Sequence, residues 1–368
     1  MTMRNSNKAK LKKVFVCTSC TDFLYDPSVT IGGLNVQMNL WGRTFAEHGW
    51  DTLCLTHIKA HSNKTIFGMR HIYMRRNKHF QTLYNFIWYF IAFCRYKPDV
   101  ILVRGRGVSL YPLALFSRWF RKKLVFFVAA DTNMDKGREA KRNFETRFFR
   151  RSIKYLDYIV AQNSRQQEQT KVNYGKPSLI ISNIWKVETS AQDAVKEYDV
   201  LWVGNIRTVK RPDLLVNMAE ALPDVKFAMV GGPADPAVYE TTKKQASSLP
   251  NLDFKGRQDF NETNKLFSMA KMFACTSSSE GFPNTFLQAW SNNIPVVSTV
   301  DPSNVVKNNG LGIICNSVEE LSCATKQLCE DKELYKQYCD NVQRYFREAH
   351  DADSQYERLM NYIYEKSH

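Results

Sequence analysis

The chain has 368 residues, of which 44% are apolar and 24% are charged, and its formal net charge is +15. These values exclude a disordered or fibrous chain and allow two domains of ordinary size. The charge is unevenly placed, because residues 1–185 hold 31 Lys and Arg against 11 Asp and Glu, while the remainder holds 20 against 25. We therefore expect the two halves to meet different partners.

The cysteine count and the first residues bear on the cellular compartment. Nine cysteines is an odd number, and the first ten residues contain no apolar run of signal-peptide length. The sequence thus predicts a cytoplasmic protein without a disulfide framework. Cys17 and Cys20 form a C-x-x-C pair that could act in redox chemistry, but no second pair completes a zinc site. We interpret most of the cysteines as buried thiols.

The first half alternates short apolar runs, typical of buried strands, with longer segments of helical periodicity. A strand at residues 11–17 leads to the paired glycines Gly32 and Gly33, a helix at 34–47 and a strand at 51–56. This βαβ order, with glycines in the first turn, is the layout of a phosphate-handling domain, although the G-x-G-x-x-G spacing is absent. Further elements are predicted as strands at 100–103, 124–128, 159–162 and 179–182, and as a basic helix at 136–154.

Residues 83–94 read LYNFIWYFIAFC and follow a basic stretch at 64–79. Twelve residues are too few to cross a bilayer as a helix, which needs about 20. Both faces of this helix are apolar, which indicates either a buried helix or one that lies against a membrane. We favour a core helix, since a predicted strand follows directly.

A polar segment at 186–198 precedes a second set of alternating elements. Its first loop runs from Gly204 through Asn205 and Arg207 to Lys210, and such a basic loop either binds an anion or simply faces solvent. The predicted elements are strands at 200–203, 227–230, 252–256, 272–276, 294–298 and 310–314, and helices at 212–222, 263–270, 285–290 and 356–364.

The loop between residues 276 and 285 carries the most specific signal. Gly281 and Pro283 break the preceding strand, and a helix follows, so backbone N–H groups at the positive end of a helix dipole are available to phosphate. A carboxylate beside phosphate is repelled, and Glu280 is therefore expected to accept hydrogen bonds from sugar hydroxyls. Gln288 lies about two helical turns further on. An ordinary βαβ loop with a surface glutamate is the alternative.

Glu280-Gly281-Phe282-Pro283-Asn284 followed by Gln288 resembles the E-x7-E signature of the retaining family 4 (group 1) glycosyltransferases with the GT-B fold. The pattern departs from the family at Gln288, where a Glu usually holds the nucleotide ribose. An amide keeps the ability to hydrogen-bond there but loses the charge. The resemblance extends over nearly the whole chain and is strongest from residue 200 to residue 299.

The resemblance implies an α/β fold with two Rossmann-like domains facing across a cleft. Residues 1–185 would form the basic, acceptor-side domain and residues 199–350 the donor-side domain, with a linker at 186–198. The helix at 351–368 would pack back on the first domain.

The resemblance also implies roles for individual residues. Lys210 would grip the donor diphosphate, and Arg207 would supply the second charge, because Asn205 stands where the family has Arg. Many relatives carry a histidine near residue 131, and Asp131 is the titratable residue in its place. Glu280, Lys210, Arg207 and Asp131 are the implied catalytic residues; the implied donor-binding residues are Gly32, Gly33, Gly204, Asn205, Arg257, Gly281, Phe282, Pro283, Asn284, Thr285 and Gln288.

The implied function is retaining transfer of a hexose from a nucleotide-diphosphate sugar to a growing glycan or lipid-linked acceptor, in polysaccharide or lipopolysaccharide biosynthesis. No metal and no cofactor are expected, and no Asp-x-Asp motif appears. The alternative is a catalytically inactive GT-B scaffold or glycan-binding partner, which the departures at Asn205 and Gln288 and the missing histidine favour. Nucleic acid is not an expected partner, since no binding signature accompanies the basic half.

The basic first half predicts peripheral, salt-reversible attachment to an anionic membrane surface at the inner face of the cell membrane. Basic residues at 70–78, 121–123 and 141–151 flank aromatic residues, including Phe144, Phe148 and Phe149, and this combination is attracted to anionic bilayers. A basic surface that only keeps the protein in solution is the alternative.

Overall fold

The computed structural model describes residues 11–22, 33–75, 81–107, 109–130, 133–134, 144–186, 195–280 and 282–365. The chain divides into two compact units. The first unit comprises residues 1–184 together with 352–368, and the second comprises residues 185–351.

The first unit is built on an eight-stranded sheet among its described residues. Its strands are β1 (Lys13–Val16), β2 (Asp51–Thr56), β3 (Thr65–Ile66), β4 (Met69–Tyr73), β5 (Val100–Arg104), β6 (Lys123–Phe127), β7 (Tyr158–Ala161) and β8 (Leu179–Ile180). They lie in the order β3-β4-β2-β1-β5-β6-β7-β8, and only the short β3 runs antiparallel to its neighbour. The strand order reverses between β1 and β5, where parallel α/β sheets form a crevice at their carboxyl ends.

Helices connect these strands and bury apolar faces against the sheet. They are α1 (Gly33–Glu47), α2 (Gln81–Tyr96), α3 (Leu110–Trp119), α4 (Phe144–Lys154), α5 (Ser164–Tyr174) and, from the end of the chain, α13 (Ala352–Glu365). The core is rich in fully buried aromatic side chains, among them Phe15, Phe93, Phe116, Phe126 and Phe149. The predicted basic helix at 136–154 is described from Phe144 onward, and its earlier residues lie outside the described part of the chain.

The burial of helix α2 differs from the prediction. Tyr89 and Phe93 turn inward and contact the rings of Phe15 and Phe116, so one face does belong to the core. The opposite face is exposed, and the prediction of a helix buried all round is wrong for it. Among the described residues, no helix is both long and apolar enough to span a membrane. The exposed apolar side chains of this face are Leu83, Phe86, Ile87, Phe90 and Ile91.

Helix α13 closes the first unit by packing on α1 and its flanking residues. The Tyr356 hydroxyl accepts a hydrogen bond from Trp50 Nε1 at 2.8 Å, and its ring stacks on His48 at 3.8 Å between centroids. The backbone carbonyl of Ile363 accepts a hydrogen bond from Lys123 Nζ at 2.9 Å. The helix is therefore held by polar as well as apolar contacts.

The second unit is built on a six-stranded parallel sheet in which every neighbouring pair is parallel. Its strands are β9 (Tyr198–Val203), β10 (Phe227–Val230), β11 (Leu252–Gly256), β12 (Ala270–Cys275), β13 (Val296–Ser298) and β14 (Gly312–Ile314). Their order is β11-β10-β9-β12-β13-β14, so the strand order reverses between β9 and β12. Both units are thus Rossmann-like, as predicted.

Three helices of the second unit lie close to the predicted positions 212–222, 263–270 and 285–290, and its other four described helices were not predicted. The helices of this unit are α6 (Pro212–Ala221), α7 (Pro236–Ala246), α8 (Phe260–Ser268), α9 (Asn284–Ser291), α10 (Val305–Asn309), α11 (Val318–Glu330) and α12 (Lys332–Ala349). Helix α9 begins one residue earlier than predicted, at Asn284, with Pro283 at its N-cap.

Candidate active site

The loops that follow β9, β10 and β12 meet at the carboxyl edge of the second sheet. The β9 loop ends in a 3-10 turn at Thr208–Lys210, and the β12 loop carries Glu280. Because β9 and β12 are neighbours at the point where the strand order reverses, their loops lie side by side although 70 residues separate Lys210 from Glu280. This is the position where open α/β sheets bind ligands.

Lys210 and Glu280 form an ion pair at the centre of this site. Lys210 Nζ donates a hydrogen bond to Glu280 Oε1, and Ser277 Oγ donates to the same oxygen at 2.8 Å. The two charged side chains are 21% and 16% exposed. From the described residues, Glu280 Oε2 receives no hydrogen bond, so it is available to a ligand hydroxyl.

The backbone around this pair is tied across the two loops. Trp202 Nε1 donates to Thr276 Oγ1 at 2.9 Å, and that hydroxyl donates to the Lys210 carbonyl at 2.8 Å. The Ser278 amide donates to the Val209 carbonyl at 2.9 Å. These links fix the Lys210 backbone before any ligand binds. Ser277, Thr276 and Trp202 were not predicted as site residues, although the run of hydroxyls before Glu280 was a visible signal.

Three glycines allow the β9 and β10 loops to approach closely. A Cβ on Gly231 would lie 2.1 Å from the Gly204 carbonyl oxygen, and a Cβ on Gly232 would lie 2.6 Å from Arg257 Nε. Ile206 also donates its amide to the Gly232 carbonyl at 2.9 Å. The Arg257 guanidinium therefore lies directly over the Gly232 backbone, beside the loop that holds Lys210.

Gln288 and Phe282 both make contacts inside the second unit. Gln288 is 7% exposed, and its Nε2 donates to Asn264 Oδ1 on α8 at 2.7 Å. The Phe282 ring packs against Trp290 and His350, with centroid distances of 6.1 and 5.5 Å. The ring thus anchors the loop, while the backbone around it and the first turn of α9 remain the parts that can meet a phosphate.

The structure brings some predicted residues together and leaves others apart. Asn205 and Arg207 are exposed in the β9 loop, near Lys210 in sequence. Gly33 is the first residue of α1 in the first unit. Gly32, Asp131 and Gly281 lie outside the described residues. No group of three or more His, Cys, Asp or Glu that could hold a metal ion is found in the described part of the chain.

The cysteines are free thiols, and the C-x-x-C residues do not contact each other as a pair. Cys20 Sγ lies 3.2 Å from Cys54 Sγ on the neighbouring strand instead. Burial raises the pKa of Cys20 and of Cys17, which keeps both protonated. Beneath the Glu280 loop, burial likewise raises the pKa of Cys275.

Two parallel-sheet α/β units in succession, with the chain's last helix in the first unit, define the GT-B class of fold. Solved structures of that class match the whole chain. Sucrose-phosphate synthase from Thermosynechococcus elongatus matches with a TM-score of 0.71 and 14% identity, over 96% of this chain and 100% of that one. Anabaena HepE, solved in complex with UDP, matches with a TM-score of 0.70 and 14% identity, over 95% and 100%. At this identity the likeness shows the fold.

Sequence comparison points to the second unit in particular. Residues 184–345 match the model of the family described as "Glycosyl transferases group 1". The O-antigen biosynthesis glycosyltransferase WbnH of Escherichia coli is 26% identical over 185 residues, which are 49% of this chain and 52% of that protein. The chain spans about half the length of the curated relatives it matches. The family match therefore includes both loops that hold the Lys210–Glu280 pair.

Proposed function

We propose that the protein is a glycosyltransferase that moves a sugar from a nucleotide-diphosphate sugar to a glycan or lipid-linked acceptor. The observation that carries this proposal is the Lys210–Glu280 pair, placed by two neighbouring loops at the carboxyl edge of the second sheet. The pair combines a cation for phosphate with a carboxylate oxygen for a sugar hydroxyl. A nucleotide-diphosphate sugar presents both groups a few bonds apart.

Leaving-group stabilisation is the main chemical task of this site. When the bond from the anomeric carbon to the diphosphate breaks, negative charge grows on the leaving oxygen. The Lys210 ammonium has three N–H donors, and Glu280 takes one, which leaves two for phosphate oxygens. Arg207 and the amides at the start of α9 add positive potential nearby. Because the Lys210 backbone is already tied to Thr276, little reorganisation is required during the reaction.

The nucleoside would lie along the β10 and β11 loops. Arg257 over Gly232 offers a planar cation beside the glycine backbone, and Gln288 offers an amide for the ribose. We propose retention at the anomeric carbon and family 4 membership, on the resemblance of the Glu280 loop and its spacing to Gln288. With Lys210 and Arg207 as the phosphate cations, activity should persist in EDTA.

A donor panel tests this function. UDP-, GDP- and ADP-sugars are added to the full chain, and thermal stabilisation identifies the nucleotide; a ligand at 100 times its Kd adds about 2.7 kcal/mol to the folded state. Transfer, or slow donor hydrolysis without acceptor, is then followed by release of the nucleoside diphosphate. The stereochemistry of the product, read by NMR, decides whether the reaction retains configuration.

An inactive GT-B scaffold is the second candidate, favoured by Asn205 in place of an arginine and by the Gln288 amide that is already bonded to Asn264. The same panel separates the two. Donor binding without transfer or hydrolysis would support the scaffold, whereas turnover that depends on Lys210 supports the enzyme.

The name of the Escherichia coli relative supports an acceptor from surface-polysaccharide assembly, such as a lipid-linked glycan at the cytoplasmic face of the membrane. We therefore propose peripheral attachment of the first unit to an anionic bilayer. The predicted aromatic anchor beside the basic residues 141–151 needs correction, because Phe149 is fully buried. The largest group of exposed apolar side chains among the described residues lies instead on the outer face of α2.

Several features of this α2 face suit contact with a bilayer. Ile87 and Ile91 are 52% and 55% exposed, and Trp119 at the end of α3 is 73% exposed. The Phe90 and Trp119 rings lie 6.3 Å apart, so the two helices present one apolar surface. The exposed Arg118 flanks it, and each basic residue near an anionic bilayer contributes about 1 kcal/mol.

Flotation with vesicles tests the attachment. The wild-type chain should float with phosphatidylglycerol vesicles at low salt and be released by high salt, with little binding to phosphatidylcholine. The Ile87→Gln/Trp119→Ser variant should lose most of this binding, because polar side chains at these positions cannot enter the bilayer. Val172→Gln is the matched control, since Val172 is 74% exposed on α5. Equal flotation of all three proteins would contradict attachment through α2.

A further inference from the structure

The first unit contains a pocket of about 270 Å³ that none of the predicted site residues lines. It lies at the carboxyl ends of β1, β2 and β5, where the strand order of the first sheet reverses. Its polar lining includes Ser19, His57, Asn85 and Arg104, and no acidic residue is among the described residues that line it. Its volume is near the lower end of the usual range for ligand pockets, which suits a monosaccharide unit rather than a nucleotide.

Arg104 gives this pocket its charge. It is the last residue of β5 and is 8% exposed. Its Nη2 donates to the neutral Asn183 Oδ1 at 2.6 Å, and its buried Nε has no hydrogen-bond partner. None of the ion pairs among the described residues includes Arg104. Burial lowers the pKa of Arg104 to about 10, so the side chain is still a cation at neutral pH.

A buried cation without a counter-ion is unfavourable for the fold, because desolvation of the charge is not compensated. Such a group is rare unless a ligand supplies the opposite charge. The position of α1 adds to the positive potential, since Leu34 in its first turn lines the same pocket and the amino end of a helix is its positive end.

The remaining walls suit a sugar. His57 Nδ1 contacts the Met74 carbonyl at 2.7 Å, and because a carbonyl only accepts, Nδ1 carries the proton and Nε2 can accept from a hydroxyl. Asn85 Nδ2 donates to Ser109 Oγ at 3.0 Å, which holds two further polar groups in the wall. Tyr89 supplies a buried aromatic surface between them.

We propose that this pocket binds the sugar acceptor through an anionic substituent, a phosphate or a carboxylate, for which Arg104 is the counter-ion. The inference rests on the proposed function, because it names the acceptor chemistry of the same enzyme. It adds that the acceptor is recognised by charge in the first unit, separately from the donor phosphates in the second.

Calorimetric titration of the full chain tests the proposal with three probes: N-acetylglucosamine 1-phosphate, glucuronic acid and neutral N-acetylglucosamine. At least one anionic probe should bind more tightly than the neutral sugar. Arg104→Met should weaken that binding about 10- to 100-fold, as expected for loss of charged hydrogen bonds, and Arg104→Lys should restore part of it. The phosphate and carboxylate arms show which anion the site prefers.

Arg106→Met is the matched control, because Arg106 lies two residues away and bonds Thr146 at 2.7 Å rather than lining the pocket. Titration of UDP, GDP and ADP with the same variants separates this inference from the proposed function. Nucleotide binding that survives Arg104→Met shows that the second unit is intact. If no anionic probe binds the wild-type chain, or if Arg104→Met binds them as well as Arg106→Met does, the proposal is wrong, whatever the nucleotides do.

Discussion

The two sheets each carry a cation where their strand order reverses, but the two cations are held differently. Lys210 in the second unit is paired with Glu280, and the backbone of both loops is tied together. Arg104 in the first unit is more deeply buried and has a neutral partner, Asn183. A paired cation keeps its position without a ligand, whereas an unpaired one is stabilised only when an anion arrives.

This difference fits two separate tasks. Catalysis gains from groups that are fixed before charge develops, and the Lys210 arrangement meets that requirement at the cost of some neutralisation by Glu280. Recognition gains from a large difference in affinity between the correct ligand and its competitors. A buried charge that only an anion can neutralise disfavours the binding of neutral molecules. Pairing of Lys210 in the second unit therefore favours rate, and the lack of a counter-ion for Arg104 among the described residues of the first unit favours selectivity.

The largest expected effect comes from Lys210→Ala. Loss of the preorganised charge should raise the barrier by about 2 to 4 kcal/mol, which lowers kcat about 30- to 1,000-fold in the transfer or hydrolysis assay. Lys271→Ala is the control. Lys271 also forms an ion pair, with Asp199 at 2.7 Å, but both residues lie at the starts of their strands, at the opposite edge of the sheet from the Glu280 loop. Undiminished turnover of Lys210→Ala would remove this residue from the mechanism.

The glycines of the second unit offer a matched pair of stability tests. Gly231→Ala should lower the free energy of unfolding by about 1 to 3 kcal/mol, because its Cβ meets the Gly204 backbone, which cannot move away. Gly232→Ala should cost much less, because its Cβ meets the flexible end of Arg257. The second variant should instead weaken nucleotide binding. Urea unfolding and titration of the nucleoside diphosphate measure the two effects, and equal destabilisation by both would contradict this account of the loop contact.

Substitution of Gln288 is expected to change the free energy of donor binding by an amount similar to or smaller than the effect of Gly231→Ala on stability. Gln288→Ala should weaken nucleotide-sugar binding by about 1 to 3 kcal/mol, since it removes the ribose partner. Gln288→Glu should keep or improve affinity, provided that Asn264 turns its amide N–H group toward the new carboxylate. Calorimetric titration measures the donor affinity of the wild type and of the two variants. Equal affinities would mean that residue 288 does not contact the donor.

The smallest effect is expected from Arg104→Met, measured as stability rather than binding. Removing a buried charge that none of the described residues neutralises should leave the free energy of unfolding unchanged or raise it by up to about 1 kcal/mol, even though Asn183 loses a bond. Loss of one member of a well-paired buried ion pair costs about 3 to 5 kcal/mol instead. A thermal unfolding midpoint that falls strongly in Arg104→Met would show that Arg104 holds the fold together.

Most strands could be predicted because each is marked locally, but β3 and β4 and the helices α3, α5, α7, α10, α11 and α12 were not predicted. Apolar runs of four to six residues gave the strands, and the Glu280 loop follows one of them directly. The Lys210–Glu280 contact could not be predicted from either loop alone. It depends on β12 lying beside β9, while β10 and β11 come between them in the sequence.

Burial was harder to predict than periodicity. The sequence showed that both faces of α2 are apolar, but it could not show that the face with Tyr89 and Phe93 turns inward while the face with Leu83 and Ile87 stays exposed. Arg104 entered only the charge count of residues 1–185 and was not predicted as a site residue. Its burial depends on Asn183, 79 residues further along the chain. Such features arise from packing between distant segments, which composition and spacing do not record.

The discontinuity of the first unit has a consequence for synthesis. Residues 185–351 form a continuous unit, whereas α13, which holds Trp50 and His48 through Tyr356, follows all of them in the chain. During translation the second unit can fold as soon as it leaves the ribosome, but the first must wait with its α13 surface open until the last helix emerges. The first unit is thus completed after the second, although most of its residues are synthesised earlier, and a nascent chain stalled before residue 352 should expose apolar surface to chaperones.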